Sequence, residues 1–389
     1  MVDFSFNQKE LEIINELRKQ GEVQRKYARY YDDNEEELAP AEFPEATKFD
    51  YISKMETDRG KDGCTTTVFL LVKTIMEYWG DFLRLRLPSY ALGNATLTAV
   101  GTEEQKKKWG NMLLAMANTE PGCGSDSKAI ETTARLDGDE WVLNGEKIFV
   151  SHGIRGDGVV VWATLDKSIG RGAIKAFFVP GNAPGLIIAK KEKKMGNRYS
   201  DTAAIVFNDC RIPRENLLGC DETVREKEGG GFKGLMKTFN LTRPIVSARG
   251  IGQVLACLEF VKDELKKEGI QVDWEVGQYE RSAVQQKIIE LEAELEAATL
   301  ATFRAGWLAD RGIYNNLESS VCKSKAGYVS RRGPQLALEI LGASGITHDK
   351  LVEKWFRDVR VTDIYEGTAE IQRLVIARSI LNYSSEELK

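Results

Sequence analysis

The sequence changes texture twice, and this limits its fold more than any single residue does. From about residue 130 onward it reads as short apolar stretches punctuated by turn pairs. Thr132 to Leu136, then Asp137-Gly138, then Trp141 to Leu143, then Asn144-Gly145, then Ile148 to Val150 form the densest part. Asp-Gly and Asn-Gly accept positive φ and so close hairpins. Further strand-like stretches follow at Val159 to Ala163, Ala176 to Val179, Leu186 to Ile188 and Ala204 to Phe207, so the middle of the chain reads as a compact antiparallel β unit. Before it the texture is helical from Asn7, which can cap with Glu10 three residues on, with Leu11, Ile14 and Leu17 recurring on one side and Pro88 as a break. After the glycines that end at residue 231 the chain is helical again. There Val284, Ile288, Leu291, Leu295 and Ala298 step by four and three to form a packing seam, and Leu336 to Leu341 and Ile371 to Ile380 are spaced similarly. The fold class is therefore mostly α with a central antiparallel β domain: residues 1–117 helical, 118–227 β, and 228–389 a helical bundle.

At 389 residues the chain is large enough for two or three units around a large ligand. No run reads as a bilayer span, and Met-Val-Asp-Phe-Ser-Phe-Asn has neither the basic start nor the apolar stretch of a signal peptide, so a cytoplasmic location is expected. Six cysteines without a C-x-x-C pair argue for reduced thiols rather than disulfides or zinc. With only His152 and His348, a histidine-rich metal site is excluded, and no metal is expected. A net charge of −5 with interspersed signs offers no stripe for nucleic acid.

Gly122-Cys123-Gly124-Ser125-Asp126 lacks the Lys-Ser/Thr of a P-loop and its strand-turn-helix setting, so alone it reads as a turn into the β unit. Together with other segments it says more. Thr119-Glu120-Pro121 through Ser125-Asp126 resembles the T-E-P-x-x-G-S-D signature of the acyl-CoA dehydrogenases. Leu143-Asn144-Gly145-Glu146-Lys147 to Ser151 resembles their L-N-G-x-K strand, and Lys194-Met195-Gly196-Asn197-Arg198 to Asp201-Thr202, with Ile212-Pro213, their K-M-G-x-R-x-S-D-T and V-P segments. Phe239 to Pro244 is similar to a loop ending T-R-P, and Ile364 to Arg373 to the I-Y-E-G-T-x-x-I-Q-R ending. These motifs stand in family order from about residue 98 to 381.

The resemblance implies an N-terminal helical domain, a middle β-barrel-like domain and a C-terminal four-helix bundle, with FAD between the β unit and the helices. It implies that Thr119 hydrogen-bonds the flavin and that Phe149 and Ser151 bring a ring and a hydroxyl to it, Phe149 replacing the more usual Trp. Without the resemblance, Phe149 reads as an inward strand residue and Ser151 as a strand-end hydroxyl. Met116, Asn118, Ser125, Val150, Thr368 and Glu370 also fall at cofactor positions. Ser125 further matches a residue near the thioester arm, and Asn240, Thr242, Arg243, Gly367 and Arg378 match residues around the acyl-CoA. Arginine suits such contacts through its planar, permanently charged fork, although an interhelical ion pair is its ordinary use.

Glu366 matches the base that removes the substrate α-proton while hydride leaves the β-carbon for flavin N5. A Glu before Gly at a helix start is otherwise a capping carboxylate. That placement favours the ionised form, and Gly367 lets backbone approach a ligand. The resemblance implies FAD-dependent α,β-dehydrogenation of an acyl-CoA, an electron-transfer flavoprotein as acceptor and a homotetramer. Enoyl-CoA reduction, a cyclic acyl group or a carrier-protein thioester on the same site, and a non-catalytic subunit of a mixed oligomer, are the alternatives.

The pattern departs at the diphosphate of the cofactor. Where the family carries R-x-x-F-G, this chain has Gln271-Val272-Asp273-Trp274-Glu275, and the Q-x-x-G-G-x-G turn appears as Glu339 to Gly345, with Glu339 for Gln and Ala343 after Gly342. An uncompensated carboxylate there would weaken anion binding. Residues 40–97, which include the family's acyl-pocket segments, match poorly.

Overall fold

The computed structural model describes residues 5–37, 67–81, 91–224, 230–384 and 387. Pro88 and Cys64 lie outside them, as do 40–66 and 82–90 of the poorly matched stretch. Contacts group the chain into two compact units. One comprises Met1–Leu83, Met195–Tyr199 and Arg243–Lys389, the other Arg84–Lys194 and Ser200–Thr242.

The first unit is helical: α1 (Gln8–Asp33), α2 (Thr67–Trp79), most of α5 (Gly230–Lys267), α6 (Ala283–Asp310), α7 (Asn316–Leu341), α8 (Val352–Val359) and α9 (Ala369–Leu381). Asn7 and Glu10 form the expected reciprocal capping box on α1. The buried stripe of α1 is Ile13, Leu17, Gln20, Gln24 and Ala28, whereas Leu11 faces solvent, so the stripe runs one residue off the expected face. The seam on α6 buries Ile288, Leu291, Leu295 and Ala298 against Ala326, Val329, Leu336 and Ala337 of α7 and Ile251, Val254 and Leu258 of α5. Within α5, Lys233–Lys267 has the length and composition of a membrane span, contrary to the sequence reading, yet 72% of its most apolar window is buried, as in a core helix.

The second unit holds α3 (Leu92–Val100), α4 (Glu103–Trp109) and seven strands: β1 (Leu114–Ala117), β2 (Thr133–Asp137), β3 (Glu140–Ser151), β4 (Gly158–Thr164), β5 (Ile174–Pro180), β6 (Leu186–Lys191) and β7 (Thr202–Pro213). The sheet runs β1-β4-β2-β3-β7-β6, with β5 paired to β4. It is mixed rather than wholly antiparallel, because β1 and β4 pair in parallel, with a second parallel pairing between β2 and β4. Leu114–Ala117, read as the end of the helical texture, is thus a strand.

Asp137-Gly138 closes the β2–β3 hairpin, with Gly138 at φ 65°. Asn144-Gly145 does not turn. β3 continues through it as a bulge opposite β7, where the register shifts between Leu143 and Gly145. Asn144 Nδ2 donates to Asp209 Oδ1 at 3.0 Å and the Asp209 N–H donates back to Asn144 Oδ1 at 2.8 Å, which fixes the bulge. A Cβ at Gly145 would lie 2.4 Å from the Thr132 hydroxyl, so only glycine fits.

Candidate active site

In the second unit, the loop after β1 is pinned from beneath. Lys147, on β3, is fully buried and donates to Asn118 O at 3.0 Å and to Glu120 Oε1 at 2.7 Å. Glu120 also accepts from the Glu131 and Thr132 N–H groups at 2.7 and 3.0 Å, and Thr119 O accepts from Ile148 N at 2.9 Å. Burial lowers the Lys147 amine to about 8 against the pull of Glu120, so at neutral pH it remains an ammonium. Burial alone would raise the Glu120 carboxyl, but Lys147 and the two backbone donors outweigh it and hold the group below its usual range.

The same strand then bulges a second time, between Lys147 and Val150. Phe149 occupies the left-handed region at φ 56° and is 60% exposed, so it is not an inward strand residue. Such a conformation costs a non-glycine residue about 1 kcal/mol. Here it turns a large aromatic face outward while Val150 stays in the core and Ser151 is exposed. Asp201, wholly buried, accepts from the N–H groups of His152, Ile154 and Arg155 at 3.1, 3.1 and 2.9 Å, and so sets the end of β3. Asn118 Oδ1 is buried with no hydrogen-bond partner, an acceptor that calls for a donor from a ligand. Ser125 is exposed on the Gly122–Asp126 turn, and Met116 is half-buried, its sulfur accepting from Thr96 Oγ1 at 3.2 Å. Asn240 and Thr242 are buried on α5.

In the first unit, Glu366 lies on the turn between α8 and α9. It is 9% exposed, with φ 54°, and Gly367 follows at φ 91°. Gln372 Nε2, on the first turn of α9, donates to the carbonyls of Glu366 and Gly367, both at 3.1 Å. A Cβ at Gly367 would lie 2.3 Å from that nitrogen. Thr368 caps α9 by accepting from Ile371 N at 3.4 Å.

Three cations act on Glu366, Arg243 and Lys323 buried and Arg249 half-buried. Burial lowers the pKa of the Arg243 guanidinium and Glu366 opposes the shift. Burial also pulls on Arg249, but Tyr78, Tyr365 and Glu366 outweigh it and leave that group raised. Lys323 is pushed down to about 8 by burial, opposed by Glu366 and Asp363. Arg243 Nη1 also donates to Ser320 Oγ of α7 at 3.3 Å. The arrangement is an enclosed carboxylate among positive charges, suited to taking a proton from a weak carbon acid. Arg249, Lys323 and Gln372 were not singled out from the sequence. For Lys323 a signal was there: Ser319, Lys323, Ala326, Gly327 and Ser330 share one buried helical face.

The remaining positions lie elsewhere on the first unit. Gln271 and Trp274 are exposed in the α5–α6 connection, where Gln271 O accepts from Gln285 Nε2 at 2.8 Å and Trp274 Nε1 donates to Glu292 Oε2 at 2.6 Å. Glu339 is not uncompensated: Lys287 Nζ lies 3.7 Å and Arg332 Nη1 3.6 Å from its oxygens. Gly342 ends α7 at φ 56°, with Ala343 exposed beside it. Glu370 is exposed, 3.8 Å from Arg373, and Arg378 is half-buried on α9.

The second unit thus offers a mixed sheet with a pinned loop, and the first unit a carboxylate enclosed among cations on the turn before its last helix. The middle-domain model of the acyl-CoA dehydrogenases matches residues 115–210 and the C-terminal-domain model matches 229–381. The short-chain specific acyl-CoA dehydrogenase, mitochondrial, of Rattus norvegicus is 38% identical over 325 residues, covering 82% of this chain and 73% of that protein. The butyryl-CoA dehydrogenase of Megasphaera elsdenii superposes with a TM-score of 0.82 at 27% identity, covering 98% of this chain and all of that one. A glutaryl-coenzyme A dehydrogenase solved with glutaryl-CoA gives 0.84 at 26%, covering 98% and 97%. The chain belongs to the acyl-CoA dehydrogenase family, whose members generally dehydrogenate acyl-CoA with FAD.

Proposed function

We propose that this protein carries out FAD-dependent α,β-dehydrogenation of an acyl-CoA, with Glu366 as the base. The observation that carries the reading is the Glu366 carboxylate: buried, held in a left-handed turn by Gln372, and set among Arg243, Arg249 and Lys323. Buried cations favour its ionised form, the one that accepts a proton. Glu366 would remove the α-proton, and FAD, when bound, supplies the acceptor for the β-hydride.

The residues of the β unit fit such a group. Phe149 offers an exposed ring for stacking, Ser151 an exposed hydroxyl, and Asn118 Oδ1 a buried acceptor without a donor. Thr119, on the loop that Lys147 and Glu120 fix, stands ready to bond the flavin edge. The relatives named for short-chain substrates support a short acyl group. An electron-transferring flavoprotein as acceptor fits the same reading, since a structure solved in work on such a protein from Acidaminococcus fermentans superposes at a TM-score of 0.81 and 29% identity. A homotetramer completes the proposal.

The test is anaerobic bleaching of the yellow protein by a panel of straight-chain, branched and cyclic acyl-CoAs. Glu366→Gln is expected to keep the flavin and lose bleaching. Turnover that survives this change places the base elsewhere, and a colourless chain that binds no added FAD removes the reading altogether.

A further inference from the structure

We propose that Lys323 is the positioning residue that holds Glu366 at the reacting carbon, by tying together the two ends of the turn that carries it. The inference rests on Glu366 being the base.

Lys323 Nζ donates to Thr362 O at 2.6 Å and reaches Gly367 O at 3.4 Å. Between those two carbonyls the chain runs through Asp363, Ile364, Tyr365 and Glu366. One buried ammonium thus bridges the stem of the turn. Gln372 holds only the Glu366–Gly367 end, and Lys323 adds the tie across to Thr362, so that the left-handed backbone at Glu366 is over-determined from both ends of the turn.

The face of α7 is shaped for this contact. Gly327, one helical turn beyond Lys323, lets the helix approach so closely that a Cβ there would lie 2.6 Å from Asp363 Oδ1. From α5, Gly250 does the same against Thr362, whose Cγ2 would be 2.6 Å away. Asp363 already has Arg331 and Arg360, each 3.4 Å from its Oδ2, so Lys323 is not needed to neutralise it. A lysine 1% exposed is an expensive way to fill a core, where leucine or methionine would pack without desolvating a charge. What an apolar side chain could not do here is donate to the carbonyls of Thr362 and Gly367.

The charge has a second effect. The groups facing Glu366 and Lys323 are Arg243 and Arg249 from α5, Cys322 from α7, and Asp363 and Tyr365 from the turn itself, whose ring centroid is 5.8 Å from Nζ. Removing one of three cations makes the carboxylate harder to ionise, so the pH at which the base becomes active rises. With the amine at about 8, Lys323 remains an ammonium at neutral pH.

The experiment compares the flavin-loaded wild type with Lys323→Gln, which keeps a donor without charge, Lys323→Met, which keeps neither, and Glu366→Gln as control. The substrate is a straight-chain acyl-CoA that bleaches the wild type. Both Lys323 variants are expected to retain flavin and helical signal and to lose roughly 10- to 100-fold in kcat, with Met lower than Gln and KM within about threefold. The acid limb of kcat is expected to move up by about one pH unit in both. If Glu366→Gln is dead while the Lys323 variants keep wild-type kcat and an unmoved limb, the positioning role is overturned and the base stands. If both Lys323 variants lose flavin or fold, or lose kcat with the limb unmoved, Lys323 is a structural residue only. Turnover by Glu366→Gln overturns the base and this inference together.

Discussion

Lys147 Nζ lies 2.7 Å from Glu120 Oε1, with the lysine side chain fully closed to solvent and the glutamate 6% exposed. The pair joins β3 to the loop that carries Asn118 and Thr119, and it sits directly beneath the proposed cofactor contacts. Removing one partner leaves a buried charge alone, which costs about 3–5 kcal/mol. Lys147→Met is expected to fall at the low end of that range, because the Glu131 and Thr132 N–H groups still bind Glu120. Thermal unfolding of Lys147→Met, Glu120→Gln and the double variant checks this. The double variant should be more stable than the sum of the single losses implies, and additive losses would mean the two residues do not act as a pair.

The same pair gives the β unit an acid limit. Glu120 is held below the ordinary glutamate value, so its contribution is complete above about pH 4.3 and is lost as the pH falls through its lowered folded value. Between roughly pH 5 and pH 2, wild type is expected to lose more stability than Glu120→Gln, read as the change in denaturation midpoint. Parallel curves for the two proteins would rule this out.

Phe149 makes a different prediction because its ring contributes little to the core. Phe149→Gly removes an exposed ring and relieves a left-handed conformation costing about 1 kcal/mol, while adding a similar entropy to the unfolded chain. Stability of the flavin-free protein should therefore stay within about 1 kcal/mol, and flavin retention on gel filtration should fall. A large drop in melting temperature with flavin binding intact would show that the ring serves packing instead.

Local chemistry was legible in the sequence wherever partners are near in the chain. Asn7 with Glu10 and Asp137 with Gly138 needed only their neighbours, and both form as expected. Asn144-Gly145 did not, because the same dipeptide closes a hairpin or forms a bulge according to whether a partner strand continues beside it, and here β7 does. The motif order located the turn of Glu366, but not what holds it. The small residues on the face of Lys323 mark it as buried, but its acceptors are 39 and 44 residues away and so could not be named from the sequence. Glu339 reads as uncompensated for the same reason. Its neutralising Lys287 stands on another helix, and Arg332 stands two turns back on its own.

If the surface around Glu339 faces the cofactor diphosphate, as the family resemblance implies, the carboxylate there spends the positive charge of Lys287 and Arg332 on itself. Glu339→Gln would free both cations for an anion, and FAD affinity is expected to rise several-fold, equivalent to about 1 kcal/mol for exposed charges. The gain should shrink as salt increases. Titration of the flavin-free protein at low and high ionic strength measures this, and an unchanged or weakened affinity would place the diphosphate away from Glu339.

The Met195–Tyr199 segment leaves the β sequence to join the helical unit. Lys354, wholly buried on α8, donates to Asp81 Oδ1 at 2.7 Å and Asp358 Oδ2 at 2.6 Å, and Trp355 Nε1 donates to Asp81 Oδ2 at 2.9 Å. Asp358 in turn accepts from Asn197 N at 2.5 Å, and its carbonyl accepts from Asn197 Nδ2 at 2.8 Å. Gly196 fits against Arg357 O, only 2.3 Å from where a Cβ would stand. The Asp358 carboxylate, whose charge Lys354 balances, is thus one fastening of the segment, beside Arg357 Nη1 donating to Met195 O at 2.9 Å and Arg198 Nε 3.2 Å from Glu35. Asp358→Asn keeps the shape but offers Asn197 a weaker acceptor and leaves Lys354 with Asp81 alone. Because two carboxylates share one lysine, losing one leaves a matched pair, so the fold should lose only about 1–3 kcal/mol, the cost of a weakened charged hydrogen bond. Removing the lysine instead strands two buried carboxylates, and Lys354→Met should be the more damaging change by several kcal/mol. Urea unfolding ranks the two variants, and limited proteolysis should cut Asp358→Asn near Lys193 and Lys194 before the wild type. The reverse ranking, or uncut Lys193 and Lys194, would mean that the segment is held by the packing of Gly196 and Tyr199 and not by Asp358.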